Sequence, residues 1–557
     1  MLGLLATLTS LLRPVVAFII ILVPLVVFHE FGHFLFAKLF GVKAEVFSVG
    51  FGPRLWSRQF GETEFRVSAI PMGGYVKLLG EDRETQLSPD EMKRALHLQK
   101  PWKRFFIFFG GPLFNFILAI MIFMVILALG EPQMASFVGR VVHRSPAEIA
   151  GFKSGDHILE VNHRPVTKFE EVVMTLTESP GQKLEVKVLH PGDSQPVVIE
   201  AQTTSESGLG VYGESTHVGQ IEGLLPFARA PQAGVSNPQS KAAQAGIATG
   251  DQLVGYDGKP VKTWEEVEAL YATSNPGTPV TIQVEKGKSS DGAPKRVEWN
   301  FEKPANSQGL GVDLGLFSSE LFVEKVVSKS PAEQMGLKAG DRLIEVGGSE
   351  AQSFFQLRES VQKSGEKDGK VKVKWERMGQ VQEAVVEPTA TATRDVSLNK
   401  KTQYTIGIAP MLVLTEPPTV IERVLNPIRL VAQATERMFS LTWRNLVSLR
   451  KMAMGEVSMG QLGGPLTIGK IAGESLARGL IVFLTNMAIF SIGLGVLNIL
   501  PVPVLDGGHL LLLGIEMVRG KPLSLRQMEI VQGFGLVFIL LLMGIAFHND
   551  IARLIYS

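Results

Sequence analysis

Polar and apolar positions along this chain follow two different rhythms. In four places apolar residues dominate for about the 20 residues that a helix needs to cross a bilayer. These are 15–28 ("VVAFIIILVPLVVF"), continued by "FLF" after a short polar interruption, then 105–130 ("FFIFFGGPLFNFILAIMIFMVILALG"), 479–500 and 531–547. They predict four transmembrane helices, assigned to 1–40, 105–130, 479–506 and 531–548. Gly110, Gly111 and Pro112 predict an irregular start to the second. The first run exceeds the apolar core of a secretory signal, about 7–15 residues, and no small-residue cleavage site follows it. An even number of spans leaves both termini on one side. Basic residues from Lys43 to Arg104, and again Arg519, Lys521 and Arg526, mark the connections 41–104 and 507–530 as cytoplasmic. The long segment between spans two and three then lies outside.

In that outer segment the rhythm changes to short alternating strands and small-residue turns, and it repeats. "SPAEIAGFKSGDHILEVNHRPV" from Ser145, "SKAAQAGIATGDQLVGYDGKPV" from Ser240 and "SPAEQMGLKAGDRLIEVGGSEA" from Ser330 share a helical turn, a Gly-Asp turn and a strand. Each unit continues into a helix-like stretch and an alternating strand. The expected closing strands are "GLGV" at 208, "GLGV" at 309 and "TIGI" at 405, giving units at 136–212, 217–313 and 320–410. They resemble three tandem α+β PDZ domains in the permuted form of bacterial proteases. Such a domain either captures the end of an extended peptide along a strand edge or serves as a spacer and steric screen, and both readings stay open. Within 420–478, Asn426 before Pro427 predicts a helix start. Phe439, Trp443, Leu446 and the basic Arg437, Arg444, Arg450 and Lys451 make that helix amphipathic, either on a membrane surface or packed on protein, with a loop after it.

Composition narrows the chemistry. With 55 basic and 54 acidic residues the 557-residue chain has net charge +1, which gives no reason to expect nucleic acid as a partner. It contains no cysteine, so a metal here must be held by His, Asp or Glu.

One polar interruption calls for explanation: "FHEFGH" at 28–33 puts three ionisable side chains inside an apolar run. On a helix His29 and His33 lie one turn apart on one face, so both imidazoles can reach one metal, and Glu30 beside them can reach a water on it. Ionisable groups at membrane depth are functional candidates by default. A catalytic zinc takes three protein ligands and leaves one position open. The third candidate is Asp506 in "LNILPVPVLDGGHLLLL", where Pro501 and Pro503 break the helix and Gly507 and Gly508 permit close approach to a metal. His509 is the rival ligand. A membrane-anchored scaffold with a structural or inactive metal site would explain the repeats well, but gives Glu30 no task.

"HEFGH", "NILPVPVLDGG", four spans and PDZ-like repeats between spans two and three together resemble the site-2 protease family of intramembrane zinc metalloproteases. The resemblance covers essentially the whole chain. It implies zinc bound by His29, His33 and Asp506, with Glu30 as general acid and base. It implies that Asn498, Pro501 and Pro503 help hold the substrate, and that a membrane-associated β-hairpin at about 62–81, bent at Gly73 and Gly74, offers substrate a strand edge. The expected protein is a polytopic α-helical membrane protein of the bacterial inner membrane. Its PDZ-like domains and both termini would be periplasmic, and its active site near the cytoplasmic side. The implied partners are the lipid bilayer and single-span substrates such as a trimmed anti-sigma factor or remnant signal peptides. The family usually carries one or two PDZ domains, so the third repeat is a departure.

Overall fold

The structure is a computed structural model that describes residues 2–81, 87–288, 294–394, 398, 400–521 and 523–556. Four of its helices are long and apolar enough to cross a membrane. They are α1 (Leu2–Leu39), α2 (Pro101–Leu129), α5 (Leu480–Ile499) and α7 (Leu525–Tyr556). A helix satisfies its own backbone hydrogen bonds, the condition for crossing lipid. The second span lies between the first and third, and its buried Leu118, Ile122, Phe123 and Ile126 meet Ile21 and Leu25 of α1 and Met487 and Ile492 of α5. The fourth is the least covered of the four, with almost none of its apolar length buried by protein.

The expected irregular start at Gly110–Pro112 is corrected. The second helix begins earlier, at Pro101, and runs through these residues. Its two glycines serve a crossing instead: a Cβ on Gly32 of α1 would lie 2.1 Å from the carbonyl oxygen of Gly110. Only glycine on both helices lets the backbones approach so closely, and small residues at a crossing are how helices pack in lipid.

After α1 the chain forms one long bent antiparallel pair, β1 (Ala44–Phe60) and β2 (Thr63–Leu78). Residues 46–49 of β1 pair with 74–77 of β2 on one side and with 64–67 on the other. The run 74–78 therefore has a strand partner on one side only. Apolar Phe51, Leu55, Trp56 and Phe60 stay exposed at the far end of the pair.

Two further expectations change. The stretch after the amphipathic α3 (Pro427–Ala453) was expected to be a loop, yet α4 (Pro465–Arg478) forms there. Its glycines suggest a breaker in isolation, but a Cβ on Gly473 would come within 3.1 Å of Pro14 on α1, so they seat the helix. Asp550 of α7 caps its start, accepting from the backbone N–H groups of Gly464 and Leu466 at 2.9 and 2.8 Å. Likewise 507–530 is not simply a loop, because α6 (Asp506–Arg519) begins at the aspartate itself.

Between the second and third spans the same strand order occurs three times. One four-stranded sheet orders 164–165, 157–161, 183–189 and 197–202; its counterparts order 259–260, 252–256, 279–288 and 294–302, then 349–350, 342–346, 371–377 and 380–386. In each unit the Gly-Asp aspartate accepts a hydrogen bond from the N–H three residues earlier, at 2.8, 2.9 and 2.7 Å for Asp156, Asp251 and Asp341. The repeated motif thus closes a turn. The closing strands need correction. Residues 206–209 pair with 215–218 as a separate hairpin, and the first unit closes through 224–225 on 140–141, beyond the expected boundary at 212. In the second unit Leu310–Leu314 is a helix and 317–318 closes on 233–234. The third unit closes on 408–410. The true marker is a glycine lying against the serine that caps each unit's first helix: Gly223 on Ser145, Gly315 on Ser240 and Gly407 on Ser330.

A buried charge cluster joins the three units. Arg140 of the first donates to Glu320 at 2.7 Å, and Arg229 donates to Glu265 of the second at 2.7 Å and lies 3.6 Å from Glu320. Glu320 also accepts from the backbone N–H of Phe354 in the third. Replacing Glu320 by Ala leaves two buried guanidiniums without their shared acceptor and is expected to cost about 3–5 kcal/mol. The measurement is the denaturant midpoint of the outer region in detergent-solubilised protein; an unchanged midpoint would mean that the cluster does not hold the units together.

Candidate metal centre

His29 and His33 project from the C-terminal third of α1, one turn apart, toward α2 and the start of α6. The first and third spans run parallel, so the end of α1, the beginning of α2 and the end of α5 meet at the same end of the bundle. Asp506 reaches them because the chain turns sharply after α5. Val504, a β-branched residue, takes φ 86° in that turn, a strained conformation. Gly507 and Gly508 make room for it. Cβ atoms there would lie 2.2 Å from the carbonyl oxygen of Leu500 and 2.5 Å from that of Val502. These glycines serve the backbone turn, not an approach to metal.

Three donor atoms converge. Nε2 of His29 lies 3.3 Å from Nε2 of His33, and the Asp506 carboxylate oxygens lie 3.2 Å from the first and 3.4 Å from the second. Among the described residues this is the only group of three such side chains close enough to hold one ion. Nδ1 of His33 lies 2.8 Å from the carbonyl oxygen of Ile107. Donation there puts the ring proton on Nδ1 and leaves a lone pair on Nε2. Oδ2 of Asp506 is buried without a hydrogen-bond partner. Lone pairs so arranged repel unless a cation lies between them. Ligands about 2.0–2.1 Å from a tetrahedral zinc stand about 3.3 Å apart, so spacing and donor chemistry both fit that ion.

The floor of the centre is Gly111: a Cβ there would lie 2.3 Å from Nε2 of His33 and 2.7 Å from Cε1 of His29. Glu30 lies between the donors and the sheet. Its Cγ lies where a Cβ on Gly74 would come within 3.2 Å, and its carboxylate accepts from the backbone N–H of Val76. Gly74 therefore lets the one-sided strand run beside Glu30. Gly73 (φ 145°) faces the ring of Phe51 instead. Asn498 stands at the centre, its Nδ2 3.4 Å from Nε2 of His29. Pro503 is wedged between Gly508 and Gly535 of α7, while Pro501 is exposed beside the turn. His509 is not with the donors; its ring stacks on Phe108 at 4.8 Å. Asn115 and Gly32 carried no expectation from the sequence, and Gly111 only that of an irregular helix start. An amide in an uncharged span just after a Gly-Gly pair was the available signal for the first.

A donor set of this kind, beside a carboxylate and inside membrane-spanning helices, defines a membrane metalloendopeptidase. The chain belongs to peptidase family M50, which it matches over residues 17–542. It is 32% identical to a protein of Neisseria meningitidis named as a zinc metalloprotease, over 98% of this chain and all of the relative. Regulators of sigma E protease from Salmonella typhimurium and Escherichia coli are 27% and 26% identical, again over 98% of this chain and the whole of each relative.

Two outcomes test the geometry. Gly111→Ala pushes a methyl into both rings and should lower metal content and reduce turnover about 10²-fold, the usual result of roughly 1 Å misplacement. His509→Phe should keep the metal content of the parent, whereas Asp506→Ala should lose it; elemental analysis of purified protein reads both.

Proposed function

We propose that this chain is an intramembrane zinc protease of a bacterial inner membrane, with His29, His33 and Asp506 as ligands and Glu30 as general acid and base. The observation that carries the reading is the near-equilateral donor triangle at one end of an apolar bundle, with a carboxylate and a one-sided strand beside it. Its substrates are membrane-spanning segments of single-span proteins already trimmed outside, such as an anti-sigma factor or a remnant signal peptide. Two relatives named as regulators of sigma E protease support a place in envelope stress signalling.

A zinc ion held by His29, His33 and Asp506 would supply Lewis acidity to activate a water and polarise the scissile carbonyl. Glu30 takes the proton from that water on its carboxylate and delivers it to the leaving amine nitrogen. The Asn498 amide, directed at the same point, donates to the scissile carbonyl oxygen. An unwound substrate must keep its backbone hydrogen bonds at membrane depth, and the open edge of 74–78, beside Glu30, provides them by strand addition. Gly74 keeps that edge close to the carboxylate. Pro501 and Pro503 shape the opposite wall.

The three repeated units act as periplasmic PDZ domains, with both termini on the periplasmic side and 41–104 and 507–530 facing the cytoplasm. The first and third units face each other across a cavity of about 720 Å³, lined by Arg144 and Glu222 on one side and by Arg358 and Lys401 on the other. A bulky untrimmed substrate would be excluded there, or a new chain end detained.

Glu30→Gln should retain zinc near the parent level and reduce cleavage of a trimmed single-span substrate by about 10²–10⁴-fold. Zinc analysis and cleavage in detergent read this together. Full activity in the variant would remove Glu30 from the chemistry, and failure of the parent to cleave any trimmed substrate would overturn the protease reading.

A further inference from the structure

We propose that Asn115 is a positioning residue that holds the His29 ring in the orientation and tautomer needed to ligate metal. The inference rests on the ligand role of His29 proposed above. Asn115 projects from α2 and is fully buried. Its amide lies against the back of the His29 ring, Nδ2 being 3.1 Å from Nδ1, while its Oδ1 has no hydrogen-bond partner. The backbone beneath it is tied to the third span, because the Ser491 hydroxyl donates to the Asn115 carbonyl at 2.8 Å.

The chemistry of the ring decides what the amide must do. With Nε2 of His29 turned toward Nε2 of His33 and Asp506, a ligating His29 keeps a lone pair at Nε2 and carries its proton on Nδ1. That proton needs an acceptor in a dry interior. An amide presents oxygen or nitrogen to the same point by a half-turn of its side chain, so Oδ1 of Asn115 accepts from Nδ1 when metal is held. In the orientation shown, Nδ2 donates to a bare Nδ1, and the ring proton then sits on Nε2. Asn115 thus supports either tautomer, one for the loaded centre and one for the empty centre, without moving the ring. His33 has a fixed acceptor, the Ile107 carbonyl, and so is held in the loading tautomer throughout. Outer partners of this kind typically tune metal affinity by 10–100-fold.

The test is zinc competition against a graded chelator on the full-length protein in detergent, with thermal unfolding followed alongside. Asn115→Leu, close in size but without an acceptor, should weaken zinc binding 10–100-fold. Asn115→Asp, which keeps an oxygen toward Nδ1, should restore affinity to the parent level or above. A Leu variant that folds and binds zinc like the parent overturns the proposal, and so does an Asp variant as weak as Leu, since a packing role would not be rescued by the acceptor. His29→Ala is the separate control. If it retains zinc at parent affinity, the ligand assignment itself is wrong, whatever Asn115 does.

Discussion

The close crossing of α1 and α2, Gly32 against Gly110, is the contact on which the rest of the site depends. Two imidazoles and a carboxylate can share one ion at membrane depth only if neighbouring backbones keep other side chains out of the space between them. Glycine at both points of the α1–α2 crossing removes the side chains that would hold the helices apart, and Gly111, one step on, leaves the rings their space. The same proximity brings the Ile107 carbonyl to Nδ1 of His33 and the Asn115 amide to Nδ1 of His29. Packing and ligand orientation are one feature in this protein.

The third donor comes from far along the chain and is delivered by a different device. A helix that ended smoothly after Ile499 would carry the following residues out of the bundle. The prolines at 501 and 503, the strained Val504 and the two glycines at 507 and 508 fold the chain back within about two turns, so that Asp506 opens a new helix against the histidines. Arg104 of α2 and Glu516 of α6, paired at 2.9 Å, hold that new helix in place. On the other side of α1, Gly74 lets an incompletely paired strand lie beside Glu30. The candidate metal centre is thus flanked by a sheet edge and a proline-rich turn, with α1 between them.

Outside the spans, repetition and uniqueness divide the work. The Gly-Asp turn and the glycine-on-serine contact recur in every unit and build the unit itself. The Arg140, Arg229, Glu265 and Glu320 cluster occurs once, at the meeting of all three, and fixes how they face one another. A buried ion network has little to recommend it as a source of stability, but it is selective about geometry. It ties the second unit to the first and third, which face a common cavity.

What could be read from the chain alone was whatever obeys a local rule. Four apolar runs, a His-Glu-x-x-His turn with both histidines on one helix face, and a thrice-repeated Gly-Asp turn depend on spacing within a few residues. The pairing of His29 and His33 with Asp506 was nameable in advance only because two motifs coincided with a known family pattern; nothing local links residues 477 positions apart. Tertiary structure decided the remainder. Glycine carries no side chain to announce its purpose, so Gly110 and Gly111 looked like a break and proved a crossing, while Gly469 and Gly473 looked like a loop and proved a helix face. "GLGV" at 208 and 309 looked like closing strands because strand pattern is local, whereas closure needs a serine more than 60 residues away to lie against. Asn115 was silent for the same reason: its significance is a single atom of another helix, placed opposite it by packing.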